Sequence, residues 1–164
     1  MRSGKASDDG LHRSYPSPCR SGWSGVAGMS ALRTGGCLCG AVRYTVAWPP
    51  RDLVVCHCTD CQKQAGSAFS VVGVSAREGL QVRGELKTFS HPGSSGQTIE
   101  RKFCRNCGSP ILTDTPAARE QGILFFKAGT LDQTADLEPT THFWTRSAQA
   151  WFSIPDGVTC LEKQ

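Results

Sequence analysis

The chain of 164 residues lacks long apolar runs and any strong excess of charge. No stretch approaches the roughly twenty apolar residues that a membrane-spanning helix needs, so a membrane span is excluded and no membrane partner is expected. No apolar run of seven or more residues occurs before residue 35, so no secretory signal is predicted. The net charge is only +4, and half of it lies in residues 1–30, which argues against nucleic-acid binding. We expect a cytoplasmic protein.

Glycine and proline are plentiful by contrast, and they predict a mainly β domain. The chain holds 18 glycines and 9 prolines, which interrupt helices and set turns. Apolar or alternating runs predict short strands at 41–46, 53–55, 68–74, 80–83, 86–89, 98–103, 110–113 and 123–129. Gly79 and Gly84 separate three of these runs at turn spacing, which favours an antiparallel meander.

Seven of the nine cysteines fall in three tight clusters. The clusters are Cys37 with Cys39, then Cys56, Cys58 and Cys61, then Cys104 with Cys107. Cysteines separated by one residue cannot easily form a disulfide with each other, whereas neighbouring thiolates readily share a metal cation. The pattern therefore predicts zinc in a reducing compartment. Cys19 and Cys160 stand apart, and we assign them no metal role; Cys160 is expected to be buried or incidental.

Composition divides the chain into two parts. Residues 1–30 are rich in serine and glycine and lack apolar periodicity, so we interpret them as a disordered N-terminal extension. Met29 as the natural start is an alternative interpretation of the same segment. Residues 31–160 form the predicted zinc-binding domain.

Spacing alone permits two divisions of the seven sulfurs. Cys58 and Cys61 with the Cys104/Cys107 pair would form the closed four-thiolate site of a zinc ribbon. The Cys37/Cys39 pair with Cys104 and Cys107 would also close a tetrahedron, and it would leave Cys56, Cys58 and Cys61 with a vacant fourth position. The difference matters because closed zinc sites hold structure, whereas sites with an open position carry out chemistry.

Three runs resemble the glutathione-dependent formaldehyde-activating enzyme family, which shares its domain with centromere protein V. They are GCLCGAV at 36–42, CHCTDC at 56–61 with Gly66 and Phe69 beyond, and FCRNCGS at 103–109. The resemblance covers about residues 32–155 and implies a β-tent fold, similar to Mss4, built of short antiparallel strands. It also implies two zinc ions, a structural one at Cys37, Cys39, Cys104 and Cys107 and a second one at Cys56, Cys58 and Cys61. Gln62 and Lys63 stand where many members carry a basic pair.

An open three-thiolate zinc would suit thiol capture, since it can bind and deprotonate an incoming thiol. The resemblance implies a carbon–sulfur lyase of this class, which adds glutathione to formaldehyde, so a small thiol and an aldehyde are the expected partners and Cys56, Cys58 and Cys61 the catalytic residues. The alternative is a closed structural site whose fourth ligand is His57, His91 or His142. Alternation along the chain would turn His57 away from the metal.

Basic residues near the cysteine loops are candidates for binding the carboxylates of glutathione. Lys63 is the first choice, and the others are Arg101, Lys102 and Arg105. Solvated surface charge is the alternative interpretation for each of them. Because a shared scaffold does not fix an activity, a non-catalytic zinc module acting as a binding or scaffold protein is the second functional hypothesis.

Overall fold

The computed structural model describes residues 31–94 and 96–163. The expected N-terminal extension, with Met29 and Cys19, lies outside the described residues. The described part contains eleven short strands: β1 (Ala31–Gly36), β2 (Arg43–Trp48), β3 (Asp52–Cys56), β4 (Ser70–Ala76), β5 (Leu80–Arg83), β6 (Leu86–Pro92), β7 (Thr98–Cys104), β8 (Pro110–Asp114), β9 (Ile123–Lys127), β10 (Thr141–Phe143) and β11 (Thr159–Leu161). The prediction of a mainly β domain of short antiparallel strands is confirmed.

Two short α-helices and three 3₁₀ turns join the strands. The helices are α1 (Thr59–Ala65) and α2 (Pro116–Glu120), and the 3₁₀ turns are Arg77–Gly79, Ala128–Thr130 and Thr145–Ser147. Helix α1 ends at Gly66, whose left-handed φ of 60° is favourable for glycine. Within the described ranges no helix has the length and apolarity to cross a membrane.

The strands form two sheets. The smaller has the order β1-β2-β5, and the larger has the order β11-β10-β3-β4-β9-β8-β7-β6. Most neighbours are antiparallel, but β10 runs parallel to both β3 and β11, an arrangement that the sequence did not predict.

The expected meander through β4, β5 and β6 is wrong. Strand β5 leaves the large sheet and pairs with β2, while β6 pairs with β7. The physical reason is the apolar face of β5, since Leu80 is buried in the core between the sheets. Gly84, with a φ of 98°, then turns the chain back toward the large sheet.

The core lies between the two sheets. Tyr44 of β2 contacts Phe126 of β9, with ring centroids 6.1 Å apart. Phe126 is fully buried and lies across Gly73 of β4, where a Cβ atom would come within 2.1 Å of the ring. Because alternate residues of a strand face opposite sides, the neighbours Phe125 and Lys127 project from the other face of the large sheet.

Candidate metal centres and the adjoining cavity

Four cysteines from two distant parts of the chain lie together. Cys37 and Cys39 follow β1, Cys104 ends β7, and Cys107 lies in the turn before β8. Their sulfurs are all within 4.8 Å of one another. Gly108 adopts a φ of 74° and donates its N–H to the Cys104 carbonyl at 3.0 Å, which closes the tight turn.

The geometry of this four-sulfur group fits zinc. A Zn–S bond of about 2.3 Å in a tetrahedron places neighbouring sulfurs roughly 3.8 Å apart, and Cys39 Sγ lies 3.5 Å from Cys37 Sγ and 3.8 Å from Cys104 Sγ. The Val42 N–H donates to Cys37 Sγ at 3.1 Å. A hydrogen bond from Ser109 lowers the pKa of Cys107 to about 5, which favours the thiolate that a metal requires.

The other three clustered cysteines form a separate group. Cys56 ends β3, Cys58 is the N-cap of α1, and Cys61 lies in the first turn of that helix. Their sulfurs are also within 4.8 Å of one another. The Cys61 N–H donates to Cys58 Sγ at 3.3 Å. The structure therefore brings the seven sulfurs together as four and three, and it does not bring Cys58 and Cys61 to the Cys104/Cys107 pair as a zinc ribbon would.

In the described ranges, no histidine, cysteine or carboxylate joins the three-sulfur group as a fourth ligand. His57 is fully buried, points away from the sulfurs, and shares a hydrogen bond of 2.9 Å between its Nε2 and His142 Nδ1. His91 Nε2 accepts a hydrogen bond from Arg101 Nε at 2.8 Å. Each histidine considered as a fourth ligand thus has a different partner, so the described side chains leave the three-sulfur group incomplete.

A cavity of about 380 Å³ opens beside the three sulfurs. Its floor is the face of the large sheet opposite the core, since Phe125 and Lys127 line it. Residues paired across neighbouring strands share a face. Three cross-strand rows lie on this floor: Phe143 with Cys56, Val54 with Val72 and Lys127, and Phe125 with Thr113 and Arg101. Trp144, Arg146 and Ser147 line it from the segment after β10.

Two buried cations lie in this cavity with the sulfurs. Arg101 is 6% exposed and Lys127 is 5% exposed. Lys127 Nζ donates to Ser70 Oγ at 3.2 Å, and burial lowers the pKa of its ammonium group. Hydrogen bonds from Cys56 and Cys58 lower the pKa of Cys61 to about 2, and the charges of Lys127 and Arg101 act in the same direction. The two cations therefore stabilise the negative charge of the thiolates.

The other predicted cations lie outside this cavity. Lys63 lines a neighbouring groove together with His91 and Phe89, and this groove shares Asp60 and Arg101 with the cavity. Lys102 pairs with Glu100 at 3.5 Å, and Arg105 pairs with Glu85 at 2.5 Å. Cys160 is exposed in β11. Of the two expectations for it, buried or incidental, the buried one is wrong.

Sequence reasoning missed Lys127 and Trp144. Lys127 ends an otherwise apolar central strand, and a lysine in that position is a signal that could have identified it. Trp144 has a φ of 59°, which is uncommon for a bulky residue, and nothing in the local sequence indicates that conformation.

Comparison with known proteins gives matches in sequence and in structure. A profile of the glutathione-dependent formaldehyde-activating enzyme family matches residues 32–147. A Halomonas elongata protein and an Aspergillus terreus protein, which both carry that enzyme name in provisional form, are 32% identical over 96 residues and 42% identical over 53 residues. The matched segments are 52% and 32% of this chain and 57% and 27% of those proteins. The chain thus spans about half or less of the length of these curated relatives.

A solved structure is similar in fold. It is the crystal structure of a Rhodobacter sphaeroides protein, which is 21% identical to this chain and superposes with a TM-score of 0.50. The superposition covers 63% of this chain and 91% of the other.

Proposed function

The chain belongs to the glutathione-dependent formaldehyde-activating enzyme family, and from that premise we propose that it is a zinc-dependent carbon–sulfur lyase. The reaction joins a small thiol reversibly to a small aldehyde, with glutathione and formaldehyde as the pair that the family name indicates. The observation that carries the proposal is the group of Cys56, Cys58 and Cys61, which lacks a fourth side-chain ligand among the described residues and opens to a cavity.

We assign one zinc to each sulfur group. The four-sulfur group fits a closed tetrahedron, which is the usual form of a structural site. The three-sulfur group offers soft ligands and room for one more, which is the usual form of a catalytic site. When bound there, zinc supplies a cation that holds an incoming thiol in its thiolate form. Thiolates of this kind require a reducing compartment, and we place the protein in the cytoplasm.

Of the two buried cations, Lys127 acts on the aldehyde. The substrate sulfur forms a bond with the carbonyl carbon, and the π electron pair of the carbonyl moves to its oxygen. Lys127 lies on the cavity floor and is positioned to donate a hydrogen bond to that oxygen as it gains negative charge. The proton that the thiol loses ends on the same oxygen, which gives the hydroxyl group of the product.

We place the peptide part of glutathione in the neighbouring groove. Lys63, His91 and Arg101 line it, and the cationic side chains of Lys63 and Arg101 suit carboxylates. Calorimetry of glutathione binding to a Lys63→Ala protein tests this assignment, with Lys87→Ala, an exposed lysine on β6, as the control. A weaker affinity in Lys63→Ala alone is expected, and an unchanged affinity would remove Lys63 from the site.

Metal analysis of the wild type and of Cys58→Ser tests the proposed function as a whole. We expect two zinc ions per wild-type chain and one per chain in Cys58→Ser. Cys58→Ser should remain folded by circular dichroism but lose the exchange of formaldehyde between free and thiol-bound forms that NMR measures. A single zinc in the wild type, or no turnover with any thiol and aldehyde, would favour the non-catalytic zinc module instead.

A further inference from the structure

The cavity beside Cys56, Cys58 and Cys61 is much larger than formaldehyde. Its volume of about 380 Å³ lies in the range of pockets that enclose drug-sized ligands. Formaldehyde has two non-hydrogen atoms and needs on the order of two water volumes, roughly 60 Å³. An aldehyde of that size would contact only a small part of the side chains that line the cavity.

Beside its two buried cations, the cavity floor carries a set of apolar side chains. Val54 and Val72 are opposite each other on β3 and β4, and Phe143 is opposite Cys56. Phe125 of β9 and Ile99 of β7 extend this surface across the sheet. Apolar side chains arranged in this way favour a ligand with an alkyl or aryl group, because the contact removes apolar surface from water.

Trp144 lies at the wall of the same cavity and is held there by the cysteine loop. Its backbone is in the left-handed region, with a φ of 59° and a ψ of 42°. Ser147 Oγ donates to the carbonyl of His57 at 3.0 Å, and Gln62 Nε2 donates to the carbonyls of His57 and Ser147 at 2.7 and 2.9 Å. Arg146 lies over the indole ring, 5.0 Å from its centroid. Strained residues fixed by their surroundings are frequent at ligand sites.

These hydrogen bonds also give Gln62 a role. Its amide joins the cysteine loop to the segment that carries Trp144. Gln149 Nε2 donates to Gln62 Oε1 at 3.1 Å and holds the amide in place. These bonds therefore fix the backbone beside Trp144 relative to the cysteine loop.

The peptide part of glutathione does not match these walls. It carries two carboxylates, an ammonium group and two amides, and burial of such groups against apolar side chains is costly. The groove lined by Lys63 and His91 offers them polar partners instead. The apolar part of the cavity is thus left for the other reactant.

We propose that the electrophile is an aldehyde bearing an alkyl or aryl substituent, and that Trp144 sets this specificity. This inference rests on the proposed function. The carbonyl carbon lies at the three sulfurs, and the substituent lies over Val54, Val72 and Phe125 against the indole ring. The reaction balances as before: the carbon–sulfur bond forms, the π pair moves to oxygen, and the thiol proton ends on that oxygen.

Competition between aldehydes tests the proposal. With one thiol, NMR exchange is measured for formaldehyde, hexanal and benzaldehyde, each corrected for the uncatalysed rate. We expect the wild-type kcat/KM for hexanal or benzaldehyde to exceed that for formaldehyde by about tenfold or more, since each buried methylene is worth on the order of tenfold. Trp144→Ala should lower kcat/KM about tenfold for hexanal and benzaldehyde and change kcat/KM for formaldehyde less than about twofold. Trp151→Ala, which removes an indole that is 71% exposed and outside the cavity lining, is the matched control.

The outcomes separate this inference from the proposed function. Turnover of formaldehyde alone would overturn the inference and leave the proposed function in place, whereas no turnover of any aldehyde would overturn both. A binding measurement gives a second readout: 1-hexanol, which cannot react, should change the tryptophan fluorescence of the wild type and of Trp151→Ala but not that of Trp144→Ala. Displacement of hexanol by glutathione alone would show that the thiol fills the cavity, and it would overturn the inference.

Discussion

Replacement of Lys127 by methionine should separate the chemistry of this site from the stability of the fold. Methionine keeps the length and the apolar stem of the side chain but removes the ammonium group. In the wild type the lysine is 5% exposed, and its ammonium group donates to Ser70 Oγ at 3.2 Å. The variant therefore loses a single side-chain hydrogen bond and a cation next to the three sulfurs.

The two effects of Lys127→Met differ in size. Loss of the bond to Ser70 should cost about 1 kcal/mol of unfolding free energy, but burial of an ammonium group is itself unfavourable, and its removal offsets that loss. We expect a net change in stability of less than about 1 kcal/mol. If Lys127 donates to the carbonyl oxygen, turnover should fall about 10²- to 10³-fold, or roughly 3 to 4 kcal/mol of transition-state stabilisation.

Three measurements on one preparation check this prediction. Urea unfolding gives the free energy, metal analysis gives the zinc content, and NMR exchange gives the turnover. Lys87→Met, on the exposed face of β6, controls for loss of a positive charge and should match the wild type in all three. Turnover of Lys127→Met within about threefold of the wild type would refute the assigned role, and a parallel loss of zinc would show that the lysine acts through the metal site instead.

Three further predictions concern packing, charge and metal. Gly73→Ala places a Cβ atom 2.1 Å from the ring of Phe126 and should cost about 3 kcal/mol or more in urea unfolding, whereas Gly129→Ala, with nothing within 4 Å, should cost less than about 0.5 kcal/mol; equal costs would contradict this packing. Burial raises the pKa of Asp114, but the hydrogen bond and charge of Arg77 outweigh it and leave the pKa below the usual 3.8. The stabilisation from the ionised Asp114 is therefore complete above the unfolded pKa and is lost as the pH falls through the lower, folded pKa. Asp114→Asn should cost about 1 to 3 kcal/mol at pH 7, and this cost should begin to shrink as the pH falls below about 4; a pH-independent difference would contradict the ion pair. Titration with a chelator should remove one zinc and abolish turnover before the fold is lost, because the three-sulfur site opens to a cavity; release of both metals in a single step would contradict two unequal sites.

The sequence predicted the sulfur groups better than the strand order, for a local physical reason. Each cysteine cluster lies within a few residues of the chain, and such spacing limits which atoms can share a metal. The choice of partner for Cys104 and Cys107 depends on how the two sheets pack, which spacing does not encode. Strand β5 illustrates the same limit, since Leu80 joins the core between the sheets and takes β5 away from the predicted meander.

The residues around the three-sulfur group depend still more on tertiary structure. Lys127 belongs to the site because Val72 lies between it and Val54 across three strands. Trp144 belongs to it because β10 runs parallel to β3 and places Phe143 opposite Cys56. Neither pairing follows from alternation along one strand, so only the fold brings these side chains to the sulfurs.

The two sulfur groups differ in how much chain each one encloses, and this difference bears on the structural and catalytic roles that we propose for them. The four-sulfur group joins Cys39 to Cys104 across 65 residues and links the connection between β1 and β2 of the small sheet to the end of β7 in the large one. The three-sulfur group lies within residues 56–61. By the loop-closure argument used for disulfides, a cross-link across the long segment stabilises the fold by about 2 kcal/mol more than one across the short segment. Loss of the first metal should therefore unfold the protein more readily than loss of the second, which leaves the second free to exchange ligands at little cost to the fold.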